Sequence, residues 1–153
     1  MPIVHFHLPA GAFTVDQLQG LLVEGSAAYA RILDSPIERV RAFIVHYEPN
    51  LVAVGGRVAD SAAPYFTAIV LAGRAVEQRH ALLTAFTDLI VDTLGVERSG
   101  VRGQIVEVAP ENWGIAGVPA SGARAAEIAA RASAGEGASV SYTHLTLPTS
   151  DLV

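Results

Sequence analysis

The chain has 153 residues, 15 acidic and 10 basic, and a formal net charge of −5. This balance argues against a nucleic-acid partner or an anionic membrane surface, and no apolar run reaches the roughly 18 to 20 residues that a membrane span needs. The chain lacks cysteine, which excludes disulfides and thiolate metal ligands. The N-terminus lacks the basic region of a signal peptide, so we expect a cytoplasmic protein, and we expect neither a metal nor a cofactor.

The first 48 residues predict a βαβ unit. Residues 3–8 are short, apolar and β-branched, which is typical of a strand. Thr14 and Gln17 fit a capping box at the start of a helix, and apolar residues then repeat at helical spacing as far as Leu33. Residues 40–47 form the second predicted strand, which we expect to lie parallel to the first.

The same pattern recurs further along the chain. Residues 65–72 predict a strand, residues 75–94 a helix and residues 101–108 another strand. Without gaps, residues 15–56 align with residues 76–117 at an offset of 61 and share 11 identities in 42 positions. A duplication of one βαβ unit accounts for this similarity.

The sequence therefore predicts an α+β fold in which tandem duplicated βαβ units form a four-stranded mixed sheet with two helices on one face. Glycine-rich segments close the two repeats and predict small hairpins. The expected divisions are a first repeat (2–56), a linker (57–64), a second repeat (65–117), a C-terminal extension of helical composition (118–134) and a tail (135–153). The tail has the composition of vector-derived sequence, and we exclude it from the fold.

Pro2 is the most informative single residue. Removal of Met1 would leave Pro2 with a free secondary amine at the start of a strand. Burial and nearby guanidinium charge both lower the pKa of an amine, and a general base works best with a pKa near the operating pH. The alternative is that proline at position 2 has no function.

Four other residues are candidates for a site. Arg74 lies at the entrance to the second helix, where an anion could be held between its guanidinium and the helix N–H groups. Arg41 and Arg102 occupy equivalent positions early in their strands, beside apolar neighbours, where a charge should be paired, interfacial or in a cleft. Trp113 lies in a glycine-flanked turn and could form a pocket wall or part of an interface.

Several of these motifs together resemble the tautomerase superfamily, and most closely 4-oxalocrotonate tautomerase in a fused form with two repeats in one chain. The motifs are Pro-Ile-Val at 2–4, Gly-Arg-Ala-Val-Glu-Gln at 73–78, Val-Arg at 40–41 and 101–102, and Glu-Asn-Trp-Gly-Ile-Ala-Gly at 111–117. The resemblance covers residues 2–120.

The resemblance implies an isomerase that moves a proton between the enol and keto forms of a 2-oxo acid or an unsaturated dicarboxylate. Pro2 would be the general base. Arg74 and either Arg41 or Arg102 would bind the carboxylate and oxo groups of a small anionic substrate. Trp113, with Ile115 in the same turn, would form the wall of the substrate pocket.

The repeats depart from one another in ways that predict one working site per chain. Ala12 and Phe13 stand opposite Gly73 and Arg74, so the first repeat lacks the arginine at the helix entrance. The second repeat has no free N-terminus and hence no catalytic amine. The first repeat would therefore supply the base and the second the anion-binding arginine.

Other functions remain open at this point. The resemblance also allows a dehalogenase, decarboxylase or hydratase of the same superfamily. Two βαβ units suit a ferredoxin-like module that binds a small ligand without catalysis. His5, His7, His46 and Glu48 could share one face of paired strands as metal ligands, although apolar neighbours favour core or interface histidines.

The composition also bears on assembly. Hydrophobic residues make up 51% of the chain and charged residues only 16%, which leaves an ordinary monomer short of polar surface. A sheet with helices on one face leaves its other face uncovered. We therefore expect a homotrimer, in which six βαβ units bury these faces.

Overall fold

The computed structural model describes residues 2–134. The long elements are β1 (Ile3–Pro9), α1 (Val15–Leu33), β2 (Arg41–Tyr47), β5 (Tyr65–Leu71), α2 (Val76–Leu94) and β6 (Arg102–Val108). The short strands are β3 (Ala53–Val54), β4 (Arg57–Val58), β7 (Gly114–Ile115) and β8 (Val118–Pro119). Each long element begins and ends within one residue of its predicted bounds, and the tail lies outside the described residues.

The four long strands form one mixed sheet in the order β2-β1-β5-β6. Each βαβ unit contributes a parallel pair. The two units meet through antiparallel pairing of β1 with β5, where Phe6 lies opposite Phe66. The predicted α+β fold with a four-stranded mixed sheet is therefore confirmed.

The two helices cover one face of this sheet. Val4, Phe6 and Phe66 alternate with less buried strand residues and have no exposed surface, because they pack into a core shared with both helices. The opposite face is open in a single chain. It carries Phe43 and Tyr65, whose exposed fractions are 43% and 36%.

The core is filled differently in the two units. In the first unit the strand carries Phe6 and the helix carries Gly25, and a Cβ on this glycine would lie 3.2 Å from the ring of Phe6. In the second unit the equivalent strand residue is Ala68 and the equivalent helix residue is Phe86. The rings of Phe6 and Phe86 meet edge to face at 5.7 Å, so at these equivalent positions each unit combines one large ring with one small residue.

The helices are antiparallel partners, and each caps the other. Thr14 caps α1, and its hydroxyl accepts a hydrogen bond from the Gln17 amide at 3.1 Å, which confirms the predicted capping box. The side chain of Gln17 also donates to the Thr93 carbonyl near the end of α2. Gln78 donates in the same way to the Ile32 carbonyl of α1.

The two units are related by two slightly different offsets. The helices and second strands are 61 residues apart, whereas β5 begins 62 residues after β1 because the loop after β5 is one residue shorter. Pro2 therefore corresponds to Pro64. The carbonyl of each proline accepts a 3.0 Å hydrogen bond from the amide of an arginine, Arg41 in the first unit and Arg102 in the second.

Small hairpins follow both second strands. β3 pairs with β4 and β7 pairs with β8, so each hairpin extends just beyond the glycine-rich segments at 49–56 and 110–117. After β8 the chain forms α3 (Ala120–Ala123) and a further helical stretch over 125–134. Among the described helices, none is long and apolar enough to cross a membrane.

Candidate active site

The sheet topology gathers the candidate residues at one end of the molecule. The start of β1 lies beside the start of β2 and the end of β5, and the end of β5 lies beside the end of β6. Pro2 precedes β1, Arg41 opens β2, Arg74 follows β5 and Trp113 follows β6. Four residues from distant parts of the sequence thus share one edge of the sheet.

Pro2 lines a small recess at this end of the sheet. The residue is buried, and the recess has a volume of about 20 Å³. Its walls are Leu33, Ser35, Arg39, Val70, Leu71, Arg74, Arg124, Glu127 and Arg131. Four guanidinium groups and one carboxylate therefore surround the recess that Pro2 lines.

Arg74 is held by the end of the other helix. Its Nη1 donates a 2.5 Å hydrogen bond to the carbonyl of Leu33, the last residue of α1. The C-terminal dipole of α1 favours a cation there, and this contact offsets the unfavourable position of Arg74 at the start of α2. Partial burial and, secondarily, the charge of Arg131 lower the pKa of Arg74.

Arg41, Trp113 and Ile115 line a second cavity of about 330 Å³ at the same end of the sheet. The hairpin of β7 and β8 brings the last two residues to the start of β1 and β2. Arg39 and Arg124 line this cavity as well as the Pro2 recess. The two spaces are therefore neighbours.

Arg102 lies at the opposite end of the sheet. There it lines a cavity of about 560 Å³ together with Arg57, Pro64 and Tyr65. Its Nη1 donates to the Ser99 carbonyl at 2.8 Å. Within one chain, then, Arg41 shares an end with Pro2 and Arg102 does not.

The sequence did not indicate four residues around the recess. These residues are Arg39, Arg124, Glu127 and Arg131. Arg39 lies in a short turn before β2, and the other three lie beyond the duplicated region. The comparison of the two repeats therefore gives none of them an identical partner. Their spacing was the available signal, because residues three and four positions apart share one helix face.

An ion pair crosses the recess between distant parts of the chain. Both terminal nitrogens of Arg39 donate to the carboxylate of Glu127 at 2.9 Å. The hydrogen bond from Arg39 lowers the pKa of Glu127, and the same contact raises the pKa of Arg39. Both groups are therefore charged at neutral pH.

The predicted metal alternative does not fit the geometry. His5 and His7 lie on the open face of the sheet, with ring centroids 6.3 Å apart. His46 pairs with Leu8 in the register, and strand alternation therefore places it on the other face. The described residues contain no group of three or more side chains that could hold a metal ion.

The fold and this site define a protein of two fused βαβ units with a proline and several arginines at one sheet end. The family model for tautomerase enzymes matches residues 64–122. Probable tautomerase RSp0893 of Ralstonia nicotianae is 41% identical over 61 residues, which are 40% of this chain and 87% of that relative. The 2-hydroxymuconate tautomerase of Comamonas testosteroni is 40% identical over 57 residues, 37% of this chain and 90% of that relative. The chain belongs to the tautomerase family.

A solved structure extends the similarity to both units. A wild-type fused 4-OT (4-oxalocrotonate tautomerase), a symmetric trimer, matches with a TM-score of 0.74 and 28% identity, over 79% of this chain and 98% of that chain. The predicted likeness to the fused form is thereby confirmed. Family membership makes the chain an isomerase and removes the alternative of a binding module without catalysis.

Proposed function

We propose that the chain is a keto–enol tautomerase acting on a 2-oxo acid or an unsaturated dicarboxylate, with Pro2 as the general base. The observation that carries the proposal is the recess that Pro2 shares with Arg74 and three further arginines. The proposal requires Pro2 to be the N-terminal residue, which removal of Met1 would provide. Burial and neighbouring guanidinium groups then favour the neutral amine that a base needs.

The reaction is a 1,3-proton transfer. The Pro2 nitrogen takes the hydroxyl proton of the enol, and the O–H electron pair becomes the second bond of the carbonyl. The electron pair of the C=C bond then takes a proton from the Pro2 ammonium at carbon. Pro2 is regenerated as the neutral amine, so the cycle needs no other reactant.

The arginines divide the binding of the substrate. Arg74 binds the carboxylate, and Arg41 stabilises the negative charge that develops on the oxo group. Trp113 and Ile115 form the apolar wall that separates the reacting atoms from water. Arg102 could serve a site only from a neighbouring subunit, because it lies at the far end of its own chain.

The proposal includes assembly of the chain as a homotrimer. The open sheet face leaves Phe43, Val45 and Tyr65 exposed in the single chain. A fused 4-OT of the same architecture is a symmetric trimer. Size-exclusion chromatography with light scattering should give about three chains per particle, and a stable monomer would contradict this assembly.

The direct test compares the two prolines that the duplication relates. Ketonisation of phenylenolpyruvate and of 2-hydroxymuconate is followed by ultraviolet absorbance. Pro2→Ala should lower kcat/KM by about 10²- to 10⁴-fold, the usual contribution of general acid–base catalysis. Pro64→Ala is the matched control and should retain activity. Unchanged activity in Pro2→Ala, or full activity in protein that retains Met1 by intact mass, would reject Pro2 as the base.

A further inference from the structure

Glu127 is the one carboxylate among the described walls of the Pro2 recess. Its two oxygens each accept a 2.9 Å hydrogen bond from Arg39. This two-pronged contact is the geometry in which guanidinium groups bind carboxylate ligands. Glu127 therefore pairs with Arg39 in the same way as the carboxylate of a substrate would.

The space beside Pro2 supports the same interpretation. The recess of about 20 Å³ has room for about one water molecule, which needs roughly 10 to 15 Å³ of such space. An outer groove of about 430 Å³ shares six of its lining residues with the recess, among them Arg39, Arg74 and Glu127. A substrate carboxylate that enters this groove therefore meets Arg39 already paired with Glu127.

Glu127 has other cations to move to. Arg124 and Arg131 stand three residues before it and four residues after it, on the same side of the helical stretch. Both contribute, after Arg39, to lowering the pKa of Glu127. Release from Arg39 therefore does not leave the carboxylate without a counter-charge.

We propose that Glu127 is a built-in competitor for the substrate: it occupies Arg39 in the free enzyme, and a second carboxylate of an incoming dicarboxylate displaces it. The inference rests on the proposed function, since Arg74 is taken to hold the first carboxylate beside Pro2. Glu127 acts through Arg39 and touches no reacting atom, so it is a specificity-determining residue. Affinity for a dicarboxylate is lowered by the fraction of chains in which Glu127 holds Arg39.

The test measures binding without turnover. Isothermal titration calorimetry on the full chain uses 2-oxoglutarate, which has two carboxylates, and pyruvate, which has one. Glu127→Gln keeps the size of the side chain and removes its charge. It should bind 2-oxoglutarate about two- to fivefold more tightly, the range that a partly exposed ion pair accounts for, and leave pyruvate affinity unchanged.

A second ion pair provides the control. Asp88 pairs with Arg98 at 2.6 Å on the surface and does not line the recess, so Asp88→Asn should change neither affinity. Unchanged or weaker 2-oxoglutarate binding in Glu127→Gln would overturn the inference. Equal tightening for both acids would also overturn it, because the effect would then be general loss of negative charge.

Activity assays separate this inference from the proposed function. If Pro2→Ala is inactive and Glu127→Gln binds 2-oxoglutarate like the wild type, the role of Glu127 as a competitor is rejected and the role of Pro2 as the base is kept. If Pro2→Ala retains activity and Glu127→Gln binds 2-oxoglutarate more tightly, the role of Pro2 as the base is rejected and the competition of Glu127 for Arg39 is kept.

Discussion

Phe66 and Gly103 pack closely against each other in the sheet. They are paired across β5 and β6, and a Cβ on Gly103 would lie 2.1 Å from the ring of Phe66. The first unit has Val4 opposite Ala42 at the equivalent place. Both units thus place the larger residue on the first strand, and the second unit combines a larger ring with a smaller neighbour.

Gly103→Ala should therefore destabilise the protein by about 1 to 3 kcal/mol, the usual cost of overpacking a core. The double variant Phe66→Val with Gly103→Ala recreates the pair of the first unit and should be less destabilised than the sum of the two single variants, because Phe66→Val removes the clash while itself losing buried ring surface. Urea unfolding measures both. Gly20→Ala is the control, because an added Cβ there meets no neighbour and should stabilise α1 by about 0.5 to 1 kcal/mol. Additive effects of the two sheet substitutions would contradict the contact.

Arg74 is the residue whose loss should be most costly after Pro2. Arg74→Ala is expected to lower kcat/KM by an amount equivalent to about 2 to 4 kcal/mol, as for a lost partner of a buried charge. Arg74→Lys should recover only part of this, since an ammonium lacks the planar fork. Arg98→Ala, which removes an exposed arginine that does not line the recess, should behave as the wild type.

Some residues at this end of the sheet have a signal in the sequence and others do not. Pro2, Arg74 and Trp113 were accessible because each has a local signal: a chain start, a helix entrance or a glycine-flanked turn. Arg39 and Glu127 were not, because their significance lies in a contact across 88 positions. No local pattern specifies which helix will fold over which recess.

At the scale of elements, the start of α2 lacks a side-chain cap. Thr14 caps α1 with its hydroxyl. Ala75 occupies the same place in α2 with a similar extended backbone, but it has no side-chain oxygen. Ala75→Thr should therefore stabilise the protein by about 0.5 to 1 kcal/mol, and Thr14→Ala should cost about 1 kcal/mol. Thermal unfolding should show the opposite signs, and destabilisation by Ala75→Thr would contradict the argument.

The periodic elements were predictable because their signals are local. Helical spacing and strand alternation fix where α1, α2 and the four strands begin and end. The order of the strands was not predictable in the same way, since the pairing of β1 with β5 depends on contacts between the units. The one-residue difference between the loops is invisible to an ungapped alignment. Because of this difference, Pro64 is the residue of the second unit that corresponds to Pro2.

At the scale of the whole molecule, a histidine on the open sheet face should make the stability of the protein depend on pH. The ring of His7 lies 5.3 Å from that of Tyr65 on the face that the proposed trimer would cover. Partial burial, and then the charge of His5, lower the pKa of His7. The unfolded chain therefore binds a proton more readily than the folded one, and the free energy of unfolding should fall as the pH falls through about 6.5.

His7→Gln should weaken this dependence, measured as the difference in urea midpoint between pH 7.5 and 5.5. His80→Gln is the control, because His80 is exposed on α2 and away from this face. A wild type that is more stable at pH 5.5, or an equal effect of both substitutions, would contradict the argument.

The two ends of the molecule should also differ in chemistry. Pro64 occupies the place of Pro2, but its nitrogen is an amide within the chain and cannot accept a proton. The loop after β1 has Ala12 and Phe13 where the loop after β5 has Arg74. Labelling with 3-bromopyruvate, an electrophilic 2-oxo acid, should therefore stop at one equivalent per chain, located on Pro2 by peptide mass. Pro2→Ala should be labelled more slowly under the same conditions, because it loses the secondary amine, whereas Pro64→Ala should take up one label at the wild-type rate. Two equivalents on the wild type, or a label on a residue other than Pro2, would show that the repeats do not divide the site in this way.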